Sequence, residues 1–265
     1  MATAQTSRPN RLADKLLADQ HSLPLSIALH LVPGALVVAA YFLVNPLVHA
    51  AGCPSFLSWA IALCVILGPV LVGLLWLGRR RNGRYSLRGV LKYLDKPVSR
   101  GKLVAIVAAL IVWFVVVSLA LTVLDNAIYQ AFFTWLPFDG AGSATGYLAG
   151  YPRSTIIATL AVCLPLTGFA LPLIEELYFR GFLLPRLPQL GRWAPLVNTV
   201  LFSLYHFWSP WGFVSRVIFF LPGPLLVWWK KDLRLSIGMH PGTTLLLTAG
   251  GLVALAFNLA PGLTS

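Results

Sequence analysis

Seven apolar runs succeed one another along the chain, at residues 25–48, 56–77, 103–124, 154–187, 194–208, 213–229 and 235–259. A helix needs about 20 residues to cross the hydrocarbon of a bilayer, and most of these runs reach that length. The fold expected is all-α: a polytopic transmembrane helical bundle of about seven spans, six to eight, with any site inside the bundle. Composition agrees, since 58% of residues are hydrophobic and only 11% charged, against about 25% charged in a soluble domain. Residues 1–265 read as a single integral membrane domain, and residues 1–22 as a polar cytoplasmic tail. The run at 25–48 starts too late and is too long for a signal peptide.

The net charge of +12 does not call for nucleic acid. Nine of the twenty basic residues fall within 79–102, between two apolar runs, which is the pattern that orients a membrane protein. The tail, that block, the turn with Arg186 and Arg192, and the cluster Lys230, Lys231 and Arg234 share one side if there are seven spans. The expected placement is integral and multi-pass, in the plasma (inner) membrane if the host is bacterial, with the amino terminus cytoplasmic. Cys53, Cys64 and Cys163 have no CxxC spacing and read as packing residues.

The only two glutamates of the chain, Glu175 and Glu176, stand side by side in the run at 154–187. A charge at the centre of a membrane helix costs roughly 2.5–3.5 kcal/mol on insertion scales, so an intramembrane acid marks a functional site and needs a partner. Helical spacing offers one to Glu176: Arg180, at i+4, lies on the same face. That pair also reads simply as a salt bridge orienting the helix. Pro165 and Pro172 would kink this run or divide it into a re-entrant piece and a span.

Glu175 needs a partner from elsewhere. Glu175 and His206 are equally distant in sequence from the turn at Leu190 and Gly191, so an antiparallel hairpin pivoting there sets both at similar depth. Asn198, Phe202 and His206 recur every four residues and share a face. A membrane histidine commonly serves as an interhelical hydrogen-bonding group, and that reading stays beside the catalytic one. In the last run His240 has Thr244 four residues on, with Pro241 freeing backbone groups nearby. His30 has no evident partner, and Arg216 is expected to snorkel outward.

Glu175, Glu176 and Arg180 form an EExxxR pattern, and Phe202 and His206 an FxxxH pattern, on consecutive apolar runs. In these the chain resembles the CAAX-protease and bacteriocin-processing family of intramembrane glutamic endopeptidases, over residues 154–259. The resemblance implies hydrolysis of a peptide bond in a membrane-associated or lipidated peptide, through water activated by Glu175 and His206. It implies an oxyanion site at His240 with Thr244, where the family carries Asn or Asp. A threonine hydroxyl donates one hydrogen bond where an amide donates two, which puts activity in question. Glu176, Arg180, Phe202 and Asn198 would support the site. The family is regarded as metal-independent, so no cofactor is expected; Zn²⁺ on Glu175, His206 and His240 is the runner-up.

The expected partners are a peptide or protein substrate and the lipid bilayer. Two other functions fit these residues. One is a non-proteolytic relative acting as a bacteriocin-immunity or membrane scaffold protein. The other is a proton-coupled transporter, since buried Glu and His also build proton relays. An opening on the cytoplasmic side is expected from Arg180, Arg186 and Arg192.

Overall fold

The computed structural model describes residues 11–142 and 146–259; residues 1–10 of the expected tail lie outside that range. Among the described residues the chain is helical and has no strand. A short helix, α1 (Arg11–Leu17), precedes α2 (Leu23–Ala50), α3 (Ser55–Asn82), α4 (Arg100–Phe132) and α5 (Arg153–Arg186). Then come α6 (Ala194–Tyr205), α7 (Phe213–Phe220), α8 (Pro222–Lys230) and α9 (Arg234–Ala256). By length and composition α2, α3, α4, α5 and α9 can each cross a membrane, and α7 with α8 forms a sixth candidate bent by 41°.

The run at 194–208 makes a shorter helix than a span requires. Its 12 helical residues rise about 18 Å at 1.5 Å each, against about 30 Å of hydrocarbon. Pro195 opens α6, and His206, at φ −78° and ψ 57°, leaves the helical path at its end. The expected pivot is real: Gly191 takes φ 49° and ψ −126° between α5 and α6, a conformation open mainly to glycine.

The 34 residues of α5 run through without dividing into a re-entrant piece and a span. The helix continues past both prolines: Pro165 lies in the π-helical Leu164–Ala170 and Pro172 in the α-helical Leu171–Glu175, and Glu176–Leu183 is again π-helical. Such bulges are frequent at functional sites, and the second one carries Glu176 and Arg180.

The basic segments converge on one end of the bundle. The His21 amide donates to the Arg186 carbonyl, the Lys92 amide to that of Gly181, and the Leu233 amide to that of Tyr93. Lys92 pairs with Asp19, and the fully buried Arg186 guanidinium donates to the carbonyls of Phe182 and Val90. The segment after α3 is therefore a plug under the helices, with Val90 and Leu91 in the core. At the opposite end Arg153 donates to the carbonyls of Leu255 and Ala256, satisfying the last turn of α9 with a cation that also suits the helix dipole.

One close approach sets the depth of α6 against α2. A Cβ on Gly34 would lie 2.0 Å from the carbonyl oxygen of Tyr205, so only glycine lets the end of α6 seat there.

Candidate active site

Two glutamates on consecutive residues of α5 point in different directions, and the bundle gives each its own partners. Glu176 and Arg180 are 0% exposed, with Arg180 Nη1 3.4 Å from Glu176 Oε1. The guanidinium carbon lies 3.8 Å from the centre of the Phe202 ring, and no guanidinium nitrogen makes a hydrogen bond among the described residues. Charge attraction and the π face therefore hold this cation. Phe202 is thus the surface on which Arg180 rests.

His240, from α9, joins the two acids. Its Nδ1 is 2.9 Å from Glu176 Oε1 and its Nε2 is 3.9 Å from Glu175 Oε2. A carboxylate only accepts, so Nδ1 carries a proton and donates it to Glu176. In the neutral ring Nε2 is then an acceptor facing Glu175. Glu175 itself, 6% exposed, accepts a hydrogen bond of 3.0 Å from the Tyr205 hydroxyl on Oε1.

The hairpin brings Tyr205, rather than His206, against Glu175. Tyr205 is the last helical residue of α6, and His206 departs from the helix just where the alignment by depth would have used it. The His206 ring packs against Phe202 and Tyr205, with centroids 4.8 and 4.9 Å apart, and against Trp208 at 4.7 Å. Its Nδ1 donates to the Phe202 carbonyl at 2.8 Å, leaving Nε2 as the acceptor in the neutral ring. Among the described residues no hydrogen bond or ion pair joins His206 to Glu175.

Thr244 faces the backbone. Its hydroxyl is 2.8 Å from the Gly168 carbonyl, 3.0 Å from that of His240 and 3.2 Å from that of Pro241. One hydroxyl hydrogen serves these three acceptors. Thr244 therefore ties α9 to the first π segment of α5.

Asn198 donates to the Phe179 carbonyl and to His30 Nε2, both at 3.0 Å, and His30 Nδ1 donates to the Ser26 carbonyl at 2.7 Å. His30 therefore has a partner, contrary to expectation, and Asn198 joins α2, α5 and α6 behind the site. Arg216 also departs from expectation. It turns inward and donates to Ser209 Oγ at 2.7 Å, with the Ser209 and Ser203 carbonyls at 3.4 and 3.5 Å. The carbonyls freed where α6 ends give it more than the interface would.

Of the three arginines from which a cytoplasmic-side opening was expected, Arg180 and Arg186 are fully buried and Arg192 is exposed. Among the described residues no three His, Cys, Asp or Glu side chains gather as a metal site.

Sequence reasoning missed Tyr205 and the contact between His240 and Glu176. A buried tyrosine hydroxyl needs a partner, and Tyr205 stands one residue before His206, so a depth match allowing one residue of slack includes it. The His240 contact joins residues 64 apart and leaves no local spacing signal.

Residues 157–246 match the family model described as type II CAAX prenyl endopeptidase, Rce1-like, and that stretch holds both the EExxxR and the FxxxH patterns. The match spans Glu175, Glu176, Arg180, His206, His240 and Thr244. No curated protein and no solved structure matches the chain.

Proposed function

We propose that this chain is an intramembrane endopeptidase that hydrolyses a peptide bond of a membrane-associated or lipidated substrate, with Glu175 as general base. The observation that carries this reading is the division of labour between the acids. Glu176 is committed to Arg180 and His240, while Glu175 is held by one neutral donor, Tyr205, and faces His240 across 3.9 Å. A water within hydrogen-bond reach of both Glu175 Oε2 and His240 Nε2, about 2.8 Å from each, fits that gap off the line between them.

In this mechanism Glu175 takes a proton from water as the oxygen adds to the peptide carbonyl, then returns it to the leaving amine. His240 in its charged form presents Nε2–H to the developing oxyanion, with Glu176 carrying the balancing charge as the orienting acid of a triad does. His206, its Nδ1 proton committed to Phe202, supplies a second acceptor beside Tyr205. The gathering of the basic segments at one end supports a cytoplasmic amino terminus in a plasma membrane.

The test is cleavage of membrane-anchored peptides by the purified protein, with Glu175→Gln and His240→Asn as controls. Loss of turnover in both with intact thermal unfolding is expected; cleavage by Glu175→Gln overturns the assignment. The bond from Thr244 to Gly168 favours a second reading, a non-proteolytic immunity or scaffold protein, because it occupies the hydroxyl hydrogen that an oxyanion would need. A protective phenotype in cells that persists in Glu175→Gln would select that reading.

A further inference from the structure

A cavity of about 300 Å³ lies between α3, the segment after α4 and the turn after α6. Trp59, Phe138, Tyr147, Trp208 and Trp211 supply aromatic walls, and among the described residues Asp139 is the only charged one in its lining. Trp59 packs against Phe138 and Trp208, with ring centroids 5.4 and 6.0 Å apart. Aromatic faces with a carboxylate at the edge suit an organic cation, because the ring quadrupoles and the carboxylate attract the same charge. A neutral apolar ligand would leave the carboxylate without use.

The carboxylate is fixed in place and half spent. Asn45 Nδ2, His49 Nε2 and the Tyr41 hydroxyl reach it at 2.7, 3.0 and 3.3 Å, and all three meet Oδ2. Oδ1 has no hydrogen bond among the described residues. Three contacts on one oxygen orient the group and leave the other for a ligand.

The position of the cavity selects the cation. Trp208, in its wall, packs on His206 at 4.7 Å and on Tyr205 at 5.1 Å, and Tyr205 holds Glu175. An occupant is therefore two rings, Trp208 and Tyr205, away from Glu175. Resting on the endopeptidase reading above, we propose that this cavity is a subsite for a lysine or arginine side chain of the substrate peptide. The alkyl stem lies along the tryptophans and the charged head meets Asp139 Oδ1.

Binding of labelled, membrane-anchored peptides to the full-length Glu175→Gln variant in nanodiscs tests this without turnover. A single lysine is walked through the peptide, and each member is compared with its norleucine counterpart, which keeps the stem and removes the charge. At one register lysine is expected to bind about tenfold more tightly, the size of a partly desolvated cation–π contact. That advantage should vanish when Asp139→Asn or Trp59→Leu is added, with thermal unfolding confirming that each variant is folded. Equal binding of lysine and norleucine at every register, or a preference that survives Asp139→Asn, overturns the subsite. So does a preference present in phosphatidylglycerol nanodiscs and abolished in phosphatidylcholine ones, which would give the cavity to a choline headgroup. If the preference stands while the parent cleaves none of these peptides, the cation site holds and the endopeptidase reading falls.

Discussion

Tyr205 donates to Glu175 across 3.0 Å, joining the last residue of one membrane helix to the acid of another at a depth fixed by Gly34. The bond holds one oxygen of Glu175 and leaves the other toward His240. A hydrogen bond to a charged group contributes about 1.5–3 kcal/mol. Tyr205→Phe keeps the ring and removes the bond, so a loss of about tenfold to a hundredfold in kcat/KM is expected with helicity unchanged. Steady-state cleavage together with circular dichroism checks this; unchanged kcat/KM would remove Tyr205 from the site.

Arg180 is buried on Phe202 with Glu176 as its counter-charge. Removing one member of a buried pair leaves the other uncompensated and typically costs 3–5 kcal/mol. Arg180→Met is expected to lower the unfolding temperature in detergent strongly. Arg180→Met with Glu176→Gln should recover part of the loss, because no unpaired charge then remains. A double variant less stable than either single one would show that Arg180 acts through something other than this pair.

The helical bundle was legible from apolar run length and the positions of arginine and lysine, and so were Glu176 with Arg180, because i, i+4 spacing is local. The pivot at Gly191 was legible too, since a glycine between apolar runs has few other uses there. Contacts fixed by packing between distant helices were not. Phe202 and His206 sit on one helical lane in sequence, yet the helix ends at Tyr205 and the tyrosine makes the contact. His30 looked solitary because its partner, Asn198, comes from another helix, and Arg216 looked outward-bound because only the fold shows that α6 ends beside it. In the 34-residue α5, prolines signalled a break, yet the helix continues past both.

Asp232 lies outside the spanning helices and accepts from the Val98 amide at 2.8 Å and from Arg234 Nη2 at 2.7 Å. Burial acts to raise its pKa, but the hydrogen bonds from Arg234 and Val98 outweigh it and hold the group below its ordinary value. A lowered folded-state value means that the stabilisation is complete above the unfolded value of about 3.9, and is lost as pH falls through the folded one. The unfolding temperature of the parent should therefore drop below about pH 4 more steeply than that of Asp232→Asn, which should already be less stable at pH 7. Parallel curves for the two proteins would show that Asp232 does not set the acid limit.

Thr244 spends its one hydroxyl hydrogen on backbone carbonyls, with Gly168 at 2.8 Å. To donate to an oxyanion it would have to release them. An asparagine in its place has two amide hydrogens, one for Gly168 and one for the oxyanion, and the site is half-buried, leaving room for the longer side chain. One oxyanion donor is worth about 10²–10³ in rate, so Thr244→Asn is expected to raise kcat by up to about that factor without lowering the unfolding temperature. Thr244→Val should leave kcat nearly unchanged while costing about 1 kcal/mol of stability through the lost bond. Single-turnover cleavage by the three proteins decides the matter. If Thr244→Val abolishes turnover while Thr244→Asn only preserves it, the threonine hydroxyl is already the oxyanion donor, and its bond to Gly168 opens during the reaction.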